Sequence, residues 1–95
     1  MAFRFSERAT QDIYELYEAS LLQFGQRAAD RYFALMLDAA EFAADHPLAS
    51  PDRDDTSLPI RVRYFGAHLL VYELVDEDVT ILRVLHQQQD WQNLL

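Results

Sequence analysis

The stretch His68-Leu69-Leu70-Val71-Tyr72-Glu73-Leu74-Val75-Asp76-Glu77-Asp78-Val79-Thr80-Ile81-Leu82-Arg83-Val84-Leu85-His86-Gln87-Gln88-Gln89-Asp90 decides the fold. Its β-branched, Leu-rich runs predict two strands, His68–Val75 and Val79–His86, joined by an acidic turn at Asp76-Glu77-Asp78. Both faces of each strand are largely apolar. His68, Leu70, Tyr72 and Leu74 oppose Leu69, Val71, Glu73 and Val75; Val79, Ile81, Arg83 and Leu85 oppose Thr80, Leu82, Val84 and His86. A sheet with one wet face shows polar alternation instead. Both sides therefore need a cover, and a short terminal helix reaches only part of one. The remainder falls to a partner, or to the tail together with a second copy of the chain.

Working outward, a further strand over Ile60–Phe65 alternates Ile60, Val62 and Tyr64 against Arg61, Arg63 and Phe65, with a turn at Gly66-Ala67. Phe3 and Phe5 flank Arg4 in a short opening strand. Ser6 is placed to cap a helix carrying Ala9, Ile13, Leu16, Tyr17, Leu21 and Phe24 at a 3.6-residue period, with Asp12, Glu15 and Glu18 on other faces. Gly25 ends it, and a second helix runs from Gln26 to Asp45. Alanines 28, 29, 39, 40 and 43 are small enough for close helix–helix contact. All three prolines, Pro47, Pro51 and Pro59, fall in the one loop, and Gln87 to Leu95 forms a short terminal helix. The expected fold is α+β: an antiparallel sheet packed on an N-terminal helical hairpin, in the order β-α-α-β-β-β, as one domain over residues 1–95.

Composition narrows the function. The chain is 51% hydrophobic and 13% aromatic, so it folds around a core. No apolar run approaches the roughly 18–20 residues that cross a bilayer, and Met1 to Glu7 has no signal-like core. With no cysteine, thiolate chemistry and disulfides are excluded, which fits a reducing cytoplasm. Sixteen acidic residues face eight basic ones, all arginine, for a net charge of −8. Tight phosphate-driven nucleic-acid binding is not expected of such a chain.

Few constellations carry chemistry. Arg61, Arg63, Arg83 and His86 are the residue types of an RNA-cleaving site, but by strand parity Arg83 and His86 point to opposite faces. Arg83 alternatively pairs with an acid such as Glu73 or Asp90, and His86 alternatively bonds a turn at its strand end. No two of His46, His68 and His86 have metal-ligand spacing, and Asp52, Asp54 and Asp55 lack the glycine and closing glutamate of a calcium loop. No metal or cofactor is expected. Trp91, Leu94 and Leu95 form either a clasp onto the sheet or an exposed patch.

The chain resembles ParE-type toxins of the ParE/RelE superfamily over nearly its whole length. Ser6, Ala9 and Asp12 are similar to that family's opening helix; Phe24-Gly25 with Ala29 and Tyr32 to its hairpin turn; His46-Pro47 to its helix end. Arg61 to Tyr64 and His68 to Tyr72 are similar to its second and third strands, and Arg83-Val84-Leu85-His86 with Asp90 is the strongest match. The resemblance implies a toxin that inhibits DNA gyrase by binding, with no catalytic residue, held in a hetero-oligomer by a ParD-like antitoxin. RelE-type relatives cut mRNA on the ribosome with Arg, Lys and often a C-terminal Tyr. This chain has no Lys and nothing basic or Tyr after His86, although a RelE-like endoribonuclease, or an attenuated homologue that only binds antitoxin, stands as the alternative. The net charge departs from the family, being acidic for a toxin whose antitoxin is acidic. The residues expected to meet the target are Arg61, Arg63, Arg83, His86, Asp90 and Trp91. Those expected to meet the antitoxin are Tyr32, Phe33, Leu70, Tyr72, Leu82 and Val84.

Overall fold

Residues 3–50 and 59–95 are described by a computed structural model of the chain. Pro51 and the aspartates at 52, 54 and 55 lie outside them. Strand β1, Phe3–Phe5, stacks its two rings edge to face at 5.5 Å. Ser6 then starts helix α1, Glu7–Phe24: its extended backbone leaves the strand and its Oγ accepts the Ala9 N–H. Gly25, at φ 88°, ends α1 and opens α2, Gln26–Asp45, without an intervening residue. That φ is open to glycine at little cost, which is why so short a turn fits here. Along α2, Ala29, Met36, Ala39, Ala40 and Ala43 are buried, and the small side chains let the helix sit close on the sheet.

The sheet comprises β1, β2 (Arg61–Phe65), β3 (His68–Val75) and β4 (Asp78–His86), in the order β1-β4-β3-β2. The β2–β3 and β3–β4 pairs are antiparallel as expected. The β1–β4 pair is parallel, with Phe3 opposite Val79 and Phe5 opposite Ile81. This corrects an all-antiparallel sheet: alternation reveals that a strand exists, not its direction. The parallel pair has the helical hairpin within its crossover, as parallel neighbours require.

A second correction concerns the faces of β4. Tyr72 pairs with Ile81 and Val71 with Arg83, so Leu82 is the extra residue of a β-bulge. Beyond it the parity switches. Val79, Ile81 and Val84 all join the helix-side core with Leu70 and Tyr72, whereas Leu85 joins Ile60, Val62, Leu69 and Val71 on the other side.

That second face is closed from within the chain. A short 3-10 turn, Trp91–Leu94, lays Trp91 onto it at 4% exposure, with Leu82 and Leu95 alongside. The tail is thus a clasp for Trp91 and Leu95, while Leu94 is left exposed. A partner is not needed to bury the centre of this face, contrary to the expectation from its apolar strands. No helix among the described residues is long and apolar enough to cross a membrane.

Candidate functional site

The free edge of β4 beyond β1 is where the sequence-distant parts converge. Ser6 N–H donates to the Ile81 carbonyl at 2.8 Å, and Ser6 Oγ donates to the Leu82 carbonyl at 2.8 Å. Nearly two turns further along α1, the Asp12 carboxylate accepts Arg83 Nε at 2.8 Å, Arg83 Nη2 at 3.2 Å and the Val84 N–H at 3.0 Å. Arg83 also donates to the Leu94 carbonyl at 3.2 Å, tying the tail to the same point. Arg83 is therefore paired with a buried acid, but with Asp12 rather than Glu73 or Asp90. Asp90 instead organises the tail, accepting from Asn93 Nδ2 at 2.6 Å.

The bulge has a further effect. Counted from the closing pair of Val75 and Asp78, an unbroken ladder would set His68 opposite Leu85; the extra residue moves it to His86. The two imidazoles meet edge to face at 4.8 Å between centroids. Tyr32 Oη accepts the Ala67 N–H at 3.0 Å and is hydrogen-bonded to His68 Nδ1 at 2.6 Å. His86 Nδ1 accepts the Gln88 N–H at 3.0 Å. The Gln88 N–H makes His86 Nδ1 an acceptor, so that ring, when neutral, carries its proton on Nε2. Partial burial, then the neighbouring His86, lower the His68 pKa to about 4, keeping that ring neutral. Burial also raises the Tyr32 pKa, opposed by the Ala67 N–H. These imidazoles line a cleft of about 540 Å³ whose other wall is Leu16, Ala19, Phe24 and Ala28. No group of three potential metal ligands occurs among the described residues.

The four expected nuclease residues are not gathered. Arg83 and His86 border a common cleft beside Asp12 and Glu15. Arg61 and Arg63 lie on β2, with β3 between them and β4. Arg61 donates to the Ser50 carbonyl at 2.6 Å, and the Arg63 guanidinium lies 3.9 Å over the Phe42 ring. Trp91, expected to meet a target, is buried as the clasp of the tail.

Of the residues expected to meet an antitoxin, Leu70 and Tyr72 are fully buried between helices and sheet and Val84 nearly so. Tyr72 Oη donates inward to the Pro47 carbonyl at 2.8 Å. These three are core, because the bulge and the helices turn them away from the surface. Tyr32 and Leu82 are half-buried, and Phe33 is exposed. Sequence reasoning overlooked Asp12 as a site residue. Its spacing from Ala9 and Leu16 puts it on the buried stripe of α1, the signal that could have found it.

A helical hairpin laid on a sheet whose last strand is held by the first helix defines a small α+β module with no assembled catalytic set among its described residues. The family model described as the ParE toxin of the type II toxin–antitoxin system parDE matches residues 3–91, and the chain belongs to that family. The fold is similar to a solved chain titled as the chromosomal ParDE toxin–antitoxin system from P. aeruginosa, at a TM-score of 0.76 and 13% identity. The match covers 90% of this chain and 95% of that one. Comparison with curated protein sequences finds no match.

Proposed function

We propose that this chain arrests DNA gyrase by binding it, without catalysis, in the cytoplasm, and that a ParD-like antitoxin neutralises it in a hetero-oligomer. The family match across residues 3–91 carries this reading. The engagement of Arg83 with Asp12 supports binding over RNA cleavage, since a guanidinium already neutralised by a buried carboxylate has little charge to lend a phosphorane. The exposed end of the molecule around Asp90 and Leu94, positioned by buried Trp91, and the arginines of β2 are the surfaces assigned to the target. Phe33 and Leu82 are assigned to the antitoxin.

The test is a supercoiling assay with purified chain at fixed salt, resolving the DNA products. Inhibition accompanied by linear DNA is expected. Full gyrase activity at micromolar chain would sink the reading and direct attention to ribosome-dependent mRNA cleavage.

A further inference from the structure

His68 and His86 stand on a divide. On one side of the pair lies the cleft of about 540 Å³, and on the other a second of about 410 Å³. Leu16 and Ala19 of α1 border both. The charged residues do not: Arg8, Asp12, Glu15 and Arg83 border only the second. Among its described lining residues the larger cleft has no Asp, Glu, Arg or Lys. Its volume falls in the range of roughly 300–1,000 Å³ typical of small-molecule pockets. Such pockets are mainly apolar with a few convergent polar groups, and so is this one. Ser20 and Gln23 sit on its α1 wall, and the two imidazoles on the sheet.

Rings run in contact along the sheet side of this cleft. Phe65 stacks on His68 at 5.9 Å and 24°, Tyr32 meets His68 edge on at 5.4 Å, and His68 meets His86 edge on at 4.8 Å. Phe24, 66% exposed, adds a further ring to the lining. Aromatic pairs gain from edge-to-face and offset stacking beyond the area they bury, so a flat ring fits here better than an aliphatic one. With His86 Nδ1 taken by the Gln88 N–H, the Nε2–H of the neutral ring is the donor left over. Charge then narrows the ligand. An anion would meet a chain of net charge −8 with no guanidinium in the cleft to receive it. A cation would leave water for a lining without a carboxylate. Burial, then His86, keeps His68 neutral as well. The ligand that fits is uncharged.

We propose that this cleft binds an uncharged, planar heteroaromatic small molecule, which lies against His68 and His86 and places an acceptor atom on His86 Nε2–H. The bulge at Leu82 builds the site, since an unbroken ladder would set Leu85 rather than His86 opposite His68. The site is independent of the gyrase reading, and the failure of either leaves the other standing.

The test uses the full chain with its histidines labelled at Cε1 and follows the imidazole signals by NMR. Four probes are titrated: indole-3-carboxamide, its carboxylate and aminomethyl analogues, and cyclohexanecarboxamide. Indole-3-carboxamide should move the His68 and His86 signals saturably, with half-saturation at about 1 mM or below for a ligand of its size. The His46 signal should stay in place, because that ring packs on Phe42 at the far end of α2. The anionic, cationic and non-planar probes should each bind about tenfold more weakly. Filling the cleft from the exposed Ala19 with Ala19→Trp should abolish the shifts, and the probe series on the unaltered chain decides the matter without any variant. Absence of a saturable shift overturns the proposal, as does equal binding of any of the other three probes. Parallel movement of His46, or shifts that survive in a folded Ala19→Trp chain, overturns it too.

Discussion

Asp12 and Arg83 lie 71 residues apart in sequence and 2.8 Å apart in space, and the same carboxylate takes the Val84 N–H at 3.0 Å. A single side chain thus completes the hydrogen bonding of β4 where β1 ends and neutralises the guanidinium beside it. Asp12→Ala should cost about 3–5 kcal/mol, the loss typical of a buried ion pair with one partner removed. Asp12→Asn, which keeps an acceptor for Val84, should cost less. Urea unfolding of the two variants checks the order; equal midpoints would show the Val84 bond to be dispensable.

Gly66 sits at φ 49°, and a Cβ there would lie 2.6 Å from Tyr32 Oη. Tyr32 cannot retreat freely, since it holds Ala67 and His68. Gly66→Ala should cost about 1–3 kcal/mol, from left-handed strain together with the displaced ring. Measured by denaturation in a Tyr32→Ala background, the same substitution should cost less, a non-additivity expected of residues in contact.

His68 makes stability depend on pH. Above pH 6.5 the ring is neutral in both folded and unfolded chains, so its contribution is fully present. As pH falls from 6.5 towards about 4, the unfolded chain takes up a proton that the folded ring refuses, and stability is lost across that window. Urea midpoints should fall less steeply for His68→Gln than for the unaltered chain between those pH values. A proton NMR titration of His68 with a midpoint near 6.5 would contradict the assignment.

Arg63 stacks on Phe42 and keeps a buried Nε with no hydrogen-bond partner. Arg63→Met retains the packing and removes the unsatisfied donor, so stability should hold or rise by up to about 1 kcal/mol. If β2 meets the target, gyrase inhibition should weaken in this variant while its unfolding midpoint does not. Parallel loss of both would mark Arg63 as structural only.

Trp91→Ala uncovers Val62, Leu69, Val71 and Leu85, which the tail helps to bury. About 3 kcal/mol should be lost, near the lower end for a buried aromatic because a terminal turn can relax. Binding of a hydrophobic dye such as ANS should rise with it. An unchanged dye signal would mean that this face has another cover.

The elements were legible because their signals are local. Ser6 as a cap, Gly25 as the hairpin turn and the apolar runs from His68 to Val75 and up to His86 are read within a few residues. What escaped depends on one inserted residue. Leu82 bulges out of the ladder, reversing the faces of everything after it, and with them the assignments of Val84 and His86. Alternation in β4 shows no break at that point, since Leu82 is as apolar as its neighbours. Arg83 was matched to acids near it in sequence, Glu73 and Asp90, whereas its partner comes from the other end of the chain. The clasp of Trp91 was one of two readings left open, and choosing it removes the need for a partner at the centre of that face.

The hydrogen bond from Ser6 Oγ to the Leu82 carbonyl spans 76 residues. A ribosome adding about 5–20 residues per second needs several seconds to bridge that span. Through that interval Phe3 and Phe5 have no strand to join, and the helical hairpin waits without the sheet it will cover. The first strand made is therefore docked only after the last, and a nascent chain stopped short of β4 has no strand for β1 to join and no partner for Ser6 Oγ or the Asp12 carboxylate.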